Sequence, residues 1–254
     1  MAYTSREIMA IVAAREIKDG EIVFCGTGIS LLAAMAAKLI HAPHSVIFFE
    51  TGAIDPQLLE IPLTVADPRV MYGSSINAGL AEAFGLMQNP LIGPKVVGIL
   101  GAAQIDVYGN LNSTCIGDYW HPNVRFSGSG GACDAGSFVG RTIVFMEQER
   151  RRFVPRLDYL TTPGYLSGPG EREKAGYGTG GPACVITDMA LMRFDAQTKR
   201  MYLDKCYPGV TAQQVQAHTG FPMDLSRASS LQSPSQEELR ILREQVDPQR
   251  LILE

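Results

Sequence analysis

Ser45-Val46-Ile47-Phe48-Phe49-Glu50-Thr51-Gly52-Ala53 is the stretch whose reading decides the fold. After its serine come β-branched and aromatic residues, the mark of a short buried strand. The run stops at a carboxylate, and Gly52 lets the chain turn behind it. Strands of parallel sheets end at ligand crevices. A rigid strand therefore delivers Glu50 to a place where substrates bind. Burying a carboxylate beside Phe48 and Phe49 costs free energy unless it is paired or used. A plain glutamate, with a pKa near ~4.3, is an ionised nucleophile at neutral pH without any base. The bland alternative is an arginine pair or a helix cap, although caps are usually shorter side chains.

Residues 21–25 read as another strand, followed by the tight loop Gly26-Thr27-Gly28. A helix over 31–40 comes next, with Ser30 as its cap, and His41-Ala42-Pro43-His44 breaks it. Strand, helix, strand predicts parallel pairing with a right-handed crossover. Upstream, Thr4-x-x-Glu7 matches a capping box ahead of Ile8, Ile11, Val12 and Ile17, and Gly20 closes that helix. Downstream, the pattern predicts a helix over 76–87, a strand over 95–100, and a turn at Gly109-Asn110 between short extended pieces. A strand over 124–127, a helical turn over 132–139 and a strand over 142–146 follow. Residues 161–182 hold seven Gly and three Pro, a loop long enough to be functional or mobile. Segments 183–187, 190–194 and 201–206 alternate as antiparallel strands, and helices over 211–219 and 235–245 close the chain. The expectation is one α/β domain over residues 1–254: an open, mostly parallel sheet flanked by helices, with added antiparallel strands.

Hydrophobic residues make up 46% and charged residues 19% of the chain, a globular balance. The formal net charge of -4 argues against a nucleic-acid partner. Cys25, Cys115, Cys133, Cys184 and Cys206 show no CxxC pairing, which predicts reduced thiols in a cytoplasmic protein. No signal-peptide pattern opens the sequence, and no apolar stretch nears about 18 residues, so no membrane span is expected. His41, His44, His121 and His218 lie too far apart for a metal motif, so no metal is expected.

Gly128-Ser129-Gly130-Gly131 is the second chemical candidate. Backbone amides in such a loop approach an anion with no side chain in the way. They suit an oxyanion hole, where losing one donor costs roughly 10²–10³ in rate. A packing turn is the bland reading. Gly26-Thr27-Gly28 ahead of a helix can hold a phosphate or carboxylate. It is not a dinucleotide fingerprint, since Leu31 stands where the pattern needs glycine. Asp134 reads as structural, and Arg150-Arg151-Arg152 after Glu147-Gln148-Glu149 as a solvated face. Lys95, Arg125 and Arg141 are all available for ligand phosphates, and sequence does not choose among them.

Three segments together resemble the β subunits of family I CoA-transferases. They are Phe49-Glu50-Thr51-Gly52, Gly101-Ala102-Ala103-Gln104-Ile105-Asp106-x-x-Gly109-Asn110-x-Asn112-Ser113-Thr114, and Gly128-x-Gly130-Gly131-Ala132-x-Asp134. Thr162-Pro163-Gly164-Tyr165-Leu166, Gly180-Gly181-Pro182 and Pro208-Gly209-Val210-Thr211 agree, in one order along nearly the whole chain. The resemblance implies a CoA-transferase/NagB-like α/β fold and an α-subunit partner in an (αβ)₂ heterotetramer or larger. It places Glu50 as the catalytic glutamate, and Gly128, Gly130, Gly131, Ala103 and Gln104 around the oxyanion and CoA. It implies coenzyme A as substrate and no permanently bound cofactor. Thr51 departs from the expected Ser or Asn, keeping a hydroxyl and adding a methyl. The reaction expected is ping-pong CoA transfer from an acyl-CoA to a carboxylic acid through a glutamyl-CoA thioester. Residues 161–182 are expected to shield it from water. The rivals are a CoA-thioester or ring-opening hydrolase with Glu50 as base, and a non-enzymatic CoA- or sugar-phosphate-binding module.

Overall fold

Parallel pairing starts at residue 22. The computed structural model describes residues 2–178 and 180–253; Met1, Glu254 and Thr179 of the 161–182 segment lie outside the described residues. By its internal contacts the chain divides into two compact units, Met1–Ile99 with Ser233–Glu254, and Leu100–Gln232.

In the first unit, helix α1 (Ser5–Glu16) opens with the expected capping box. Glu7 N donates to Thr4 Oγ1 at 3.2 Å and Thr4 N to Glu7 Oε2 at 2.8 Å. Strand β1 (Ile22–Cys25), helix α2 (Ile29–Ile40) and strand β2 (Val46–Phe48) form the crossover unit, with Phe24 opposite Phe48 in parallel register. Strands β3 (Ala53–Ile54) and β4 (Ile76–Asn77) extend the edge in antiparallel fashion. Helix α3 (Leu80–Gln88) leads to strand β5 (Val96–Gly101), which flanks β1 in parallel on its other side. Helix α1 and the C-terminal helix Gln236–Ile241 both pack on α2, whose residues 31–37 are all buried. Ala10, Ala13 and Ala14 of α1 and Ala33, Ala34, Ala36 and Ala37 of α2 are fully buried. Phe48 and Phe49 are fully buried, each contributing about 2–3 kcal/mol of transfer free energy.

Two expectations fail here for local reasons. The helix predicted over 76–87 starts only at Leu80, because Ile76 and Asn77 pair with Ile54 and Ala53 at the sheet edge. Ser30 does not cap α2. Gly28 does, at φ +87°, so the helix begins one residue before Ser30. The Ser30 hydroxyl instead donates back to the carbonyls of Gly26 and Thr27 at 3.3 Å each.

The second unit opens with two hairpins. The first pairs β6 (Gln104–Ile105) with β7 (Leu111–Asn112), the second β8 (Cys115–Gly117) with β9 (Pro122–Arg125). Helix α4 (Ala132–Phe138), strand β10 (Arg141–Phe145) and the single helical turn α5 (Glu171–Lys174) follow. Strand β11 (Pro182–Ile186) runs parallel to β10. Strands β12 (Ala190–Phe194) and β13 (Met201–Cys206) continue antiparallel. Helix α6 (Ala212–Ala217) and the short edge strand β14 (Ser229–Ser230) complete the unit. The expected class, a mixed α/β sheet with a parallel core and added antiparallel strands, is what the pairings give. Among the described residues no helix is long and apolar enough to cross a membrane.

Candidate active site

In the first unit, β1 and β2 are parallel neighbours, so the segments leaving their carboxyl ends share one edge. Gly26-Thr27-Gly28 leaves β1, and Glu50 lies two residues beyond the end of β2. The turn carrying Glu50 is tightly fixed. Phe49 N donates to Ala53 O and Gly52 N to Phe49 O, both at 3.0 Å. Gly52 has φ +102°, and a Cβ there would stand 1.9 Å from the Ala78 carbonyl oxygen. Glu50 is half-buried, between fully buried Phe49 and Thr51, whose buried hydroxyl oxygen has no hydrogen-bond partner among the described residues. A Cβ at Gly26 or Gly28 would meet nothing within 4 Å, which leaves the loop open to a ligand. Burial pushes the neighbouring Cys25 thiol up to about 12, so it stays protonated and unreactive at neutral pH.

In the second unit, the glycine loop is carried by a hydrogen-bonded scaffold. Gly128 N donates to Ser113 O at 3.2 Å, and Ser113 Oγ donates to Gly128 O at 3.0 Å. Ser113 N is held by Thr161 Oγ1 at 2.9 Å. Gly128 and Gly130 take φ values of +94° and +49°. Ser129 Oγ accepts from Cys133 N, in the first turn of α4, at 2.9 Å. Asp134 lies in the first turn of α4, as a structural reading expects.

The Gln-Ile-Asp and Gly-Asn segment proves to be the frame of this unit. Ala103 N donates to Asn112 O at 2.8 Å. Gln104 is buried, and its amide accepts from Asn112 Nδ2 (2.8 Å) and Asp158 N (3.1 Å) and donates to Asp158 Oδ2 (3.0 Å). Asp106 accepts from Tyr108 N, Asn110 N and Asn110 Nδ2 at 2.8–3.1 Å. Its burial raises the carboxyl pKa, and those hydrogen bonds pull the other way. Asn110 Oδ1 takes the amides of Gly164 (2.8 Å) and Leu166 (3.0 Å).

Arg172 is the residue that sequence reasoning missed. It sits among charged neighbours in Glu171-Arg172-Glu173-Lys174 of the 161–182 segment, yet it is only 3% exposed. Its guanidinium donates to the carbonyls of Pro163, Gly164 and Gly136 at 3.2, 2.7 and 3.0 Å. Residues 161–178 are thereby tied to α4. Burial lowers the arginine pKa from its ordinary value. Arg151 and Arg152 pair with Glu149, and Arg152 also with Glu147, a solvated face as expected. Among the described residues no three His, Cys, Asp or Glu side chains converge as a metal site.

The model of the family described as coenzyme A transferase matches residues 6–218, spanning most of both units. The chain belongs to the coenzyme A transferase family. It is 41% identical to the B subunit of glutaconate CoA-transferase from Acidaminococcus fermentans, over 97% of this chain and 93% of that one. It is 33% identical to the B subunit of 3-oxoadipate CoA-transferase from Pseudomonas knackmussii, over 95% and 93%. The crystal structure of the Acidaminococcus fermentans glutaconate coenzyme A-transferase superposes with a TM-score of 0.95 at 39% identity, covering 99% of this chain and 98% of that one. The chain is thus a CoA-transferase β subunit, and neither the hydrolase nor the non-enzymatic reading is favoured.

Proposed function

We propose that this chain supplies the nucleophile, Glu50, of a heteromeric enzyme that moves CoA from an acyl-CoA to a carboxylic acid. The observation that carries the reading is a carboxylate on a rigid turn at the carboxyl end of β2, in a chain of this family. Glu50 attacks the thioester carbonyl. The C–S bond breaks, CoA leaves as thiolate, and a mixed anhydride remains. The thiolate then attacks the Glu50 carbonyl, the donor acid leaves as carboxylate, and an enzyme-CoA thioester forms. An acceptor carboxylate reverses both steps. The amides of Gly130 and Gly131 are assigned to the developing oxyanion, and Gly128, whose own amide is donated to Ser113 O, to shaping the loop that carries them. Ala103 and Gln104 hold the frame behind them, and Gly26-Thr27-Gly28 takes a substrate anion.

Both relatives are named as one subunit of a CoA-transferase, which supports an α-subunit partner; an (αβ)₂ assembly or larger is the arrangement to test. Glutaconate and 3-oxoadipate are both dicarboxylates, so dicarboxylic acids are the first substrates to test. CoA enters as substrate, without a permanently bound cofactor. Residues 161–182 are assigned the exclusion of water from the anhydride. The buried cysteine thiols support a cytoplasmic location. The test is intact-mass analysis of the complex with an α subunit after incubation with acyl-CoA. A CoA adduct on Glu50 that vanishes in Glu50→Gln, together with loss of transfer, is expected. Full-rate transfer by Glu50→Gln would overturn the reading.

A further inference from the structure

Three aromatic rings and one arginine meet at the tip of the β8–β9 hairpin. Tyr119 packs edge-on to Trp120 with centroids 5.0 Å apart and stacks on Tyr159 at 5.2 Å. The Arg125 guanidinium lies 4.7 Å from the Tyr119 ring centroid and donates to the Tyr119 carbonyl. Trp120 is nonetheless 79% exposed, and Tyr119 and Tyr159 are 40% and 37% exposed. Rings this large normally bury their faces, and here a packed cluster presents its indole to solvent.

The tip is not a loose loop. Asp118 Oδ1 accepts from Trp120 N at 2.9 Å and His121 N at 3.0 Å, which fixes the turn and engages that carboxylate. Asp158 Oδ2 takes Gly117 N at 3.1 Å and the Gln104 amide at 3.0 Å, anchoring both the hairpin and the neighbouring Tyr159. No carboxylate pairs with Arg125 among the described residues, so its outer face is open to an anion.

We propose that this platform binds the nucleotide end of CoA, with adenine stacked on Trp120 and a phosphate on Arg125. The inference rests on the CoA-transfer reading above and adds to it a specific subsite. Every base offers a π-face, and base–aromatic stacking supplies affinity without hydrogen-bond readout. A guanidinium beside the stack suits a phosphate. Position along the chain agrees. Arg125 ends β9, and Phe126 N to Thr114 O (2.9 Å) and Gly128 N to Ser113 O (3.2 Å) carry the backbone directly into the glycine loop. CoA separates its thiol from its adenine by a pantetheine arm and a diphosphate. The platform and the glycine loop lie at the two ends of one short segment, as the two ends of such a ligand require.

Trp120 is the sole tryptophan of this chain, so this chain's share of the emission reports on the platform. Adenosine 3′,5′-bisphosphate and CoA should quench the assembled enzyme's Trp120 signal relative to an α subunit-only control, and pantetheine should not. In steady-state assays, Trp120→Ala and Arg125→Gln should each raise KM for acyl-CoA about ten-fold, with kcat for the same substrate retained. The same variants should leave kcat/KM for the acyl-pantetheine analogue unchanged, and Trp120→Phe should restore the low KM. An equal loss with acyl-pantetheine, an unchanged KM for acyl-CoA, or failure of Trp120→Ala to assemble with the α subunit would each overturn the proposal. Transfer that depends on Glu50 but is indifferent to Trp120 sinks the subsite and leaves the function standing. Nucleotide quenching without any CoA transfer does the reverse.

Discussion

Arg172 Nη1 donates to the carbonyl oxygen of Gly164 at 2.7 Å, and its Nη2 donates to Gly136 O on helix α4 at 3.0 Å. One buried side chain therefore ties a glycine-rich segment to the helix that follows the Gly128–Gly131 loop. Arg172→Ala leaves those carbonyls buried without donors, each costing about 1–3 kcal/mol. The expected loss is roughly 3 kcal/mol, read as a fall in the urea midpoint. Arg172→Lys should recover little, because a point-like ammonium does not reproduce the planar fork.

Arg172 also marks where the sequence stops being legible. Its neighbours alternate in charge, and its partners are carbonyls eight, nine and thirty-six residues away, which no local pattern encodes. The same limit explains Ile76 and Asn77, whose strand pairing depends on an edge built by residues 53 and 54. What was legible is local or periodic. Thr4 and Glu7 announce their capping box, and the 46–49 run announces a short strand, although it ends at Phe48, two residues before Glu50. The Gln104, Asp106, Asn110 and Asn112 side chains stood out in sequence, and the structure engages them in mutual and backbone hydrogen bonds.

Gly52→Ala and Gly26→Ala separate folding from ligand approach. At Gly52 the new methyl would overlap the Ala78 carbonyl, in a positive-φ conformation that alanine resists. The turn bearing Glu50 must move, with an expected cost of about 2 kcal/mol or more and loss of CoA transfer. At Gly26 the methyl meets nothing within 4 Å, and no positive φ strains it. Gly26→Ala should keep its melting temperature and raise KM for the acid or the acyl-CoA. An unchanged KM would remove the 26–28 loop from the binding site.

Acid sensitivity should trace in part to Glu7. Its bidentate pair with Arg243, at 2.6 and 2.9 Å, holds the carboxyl below its ordinary value despite burial. A carboxyl depressed in the folded state adds stability above its unfolded pKa, and that stability disappears as pH falls through the folded value. Glu7→Gln should be less stable than wild type at pH 7 and show a shallower stability loss below about pH 4.5. Urea titrations at several pH values test this; parallel curves for the two proteins would refute it.

Asp106 has the opposite sign, and Asn110 controls it. Burial raises the Asp106 carboxyl, so its contribution favours folding at low pH and weakens as pH rises through the folded value. Asn110 Nδ2 donates to Asp106 Oδ2 at 2.8 Å and partly offsets that cost. Asn110→Asp replaces this donor with a second carboxylate, which pushes the pair's pKa further up. The variant should lose stability at pH 7 and regain part of it as the pH falls and the pair takes up a proton. Asn110→Ala removes the acceptor of the Gly164 and Leu166 amides, which Asn110→Asp retains, and adds no charge, so its deficit should depend less on pH. A pH-independent deficit in Asn110→Asp would mean that water reaches Asp106 and screens the pair, and the buried frame would then be looser than its hydrogen bonds indicate.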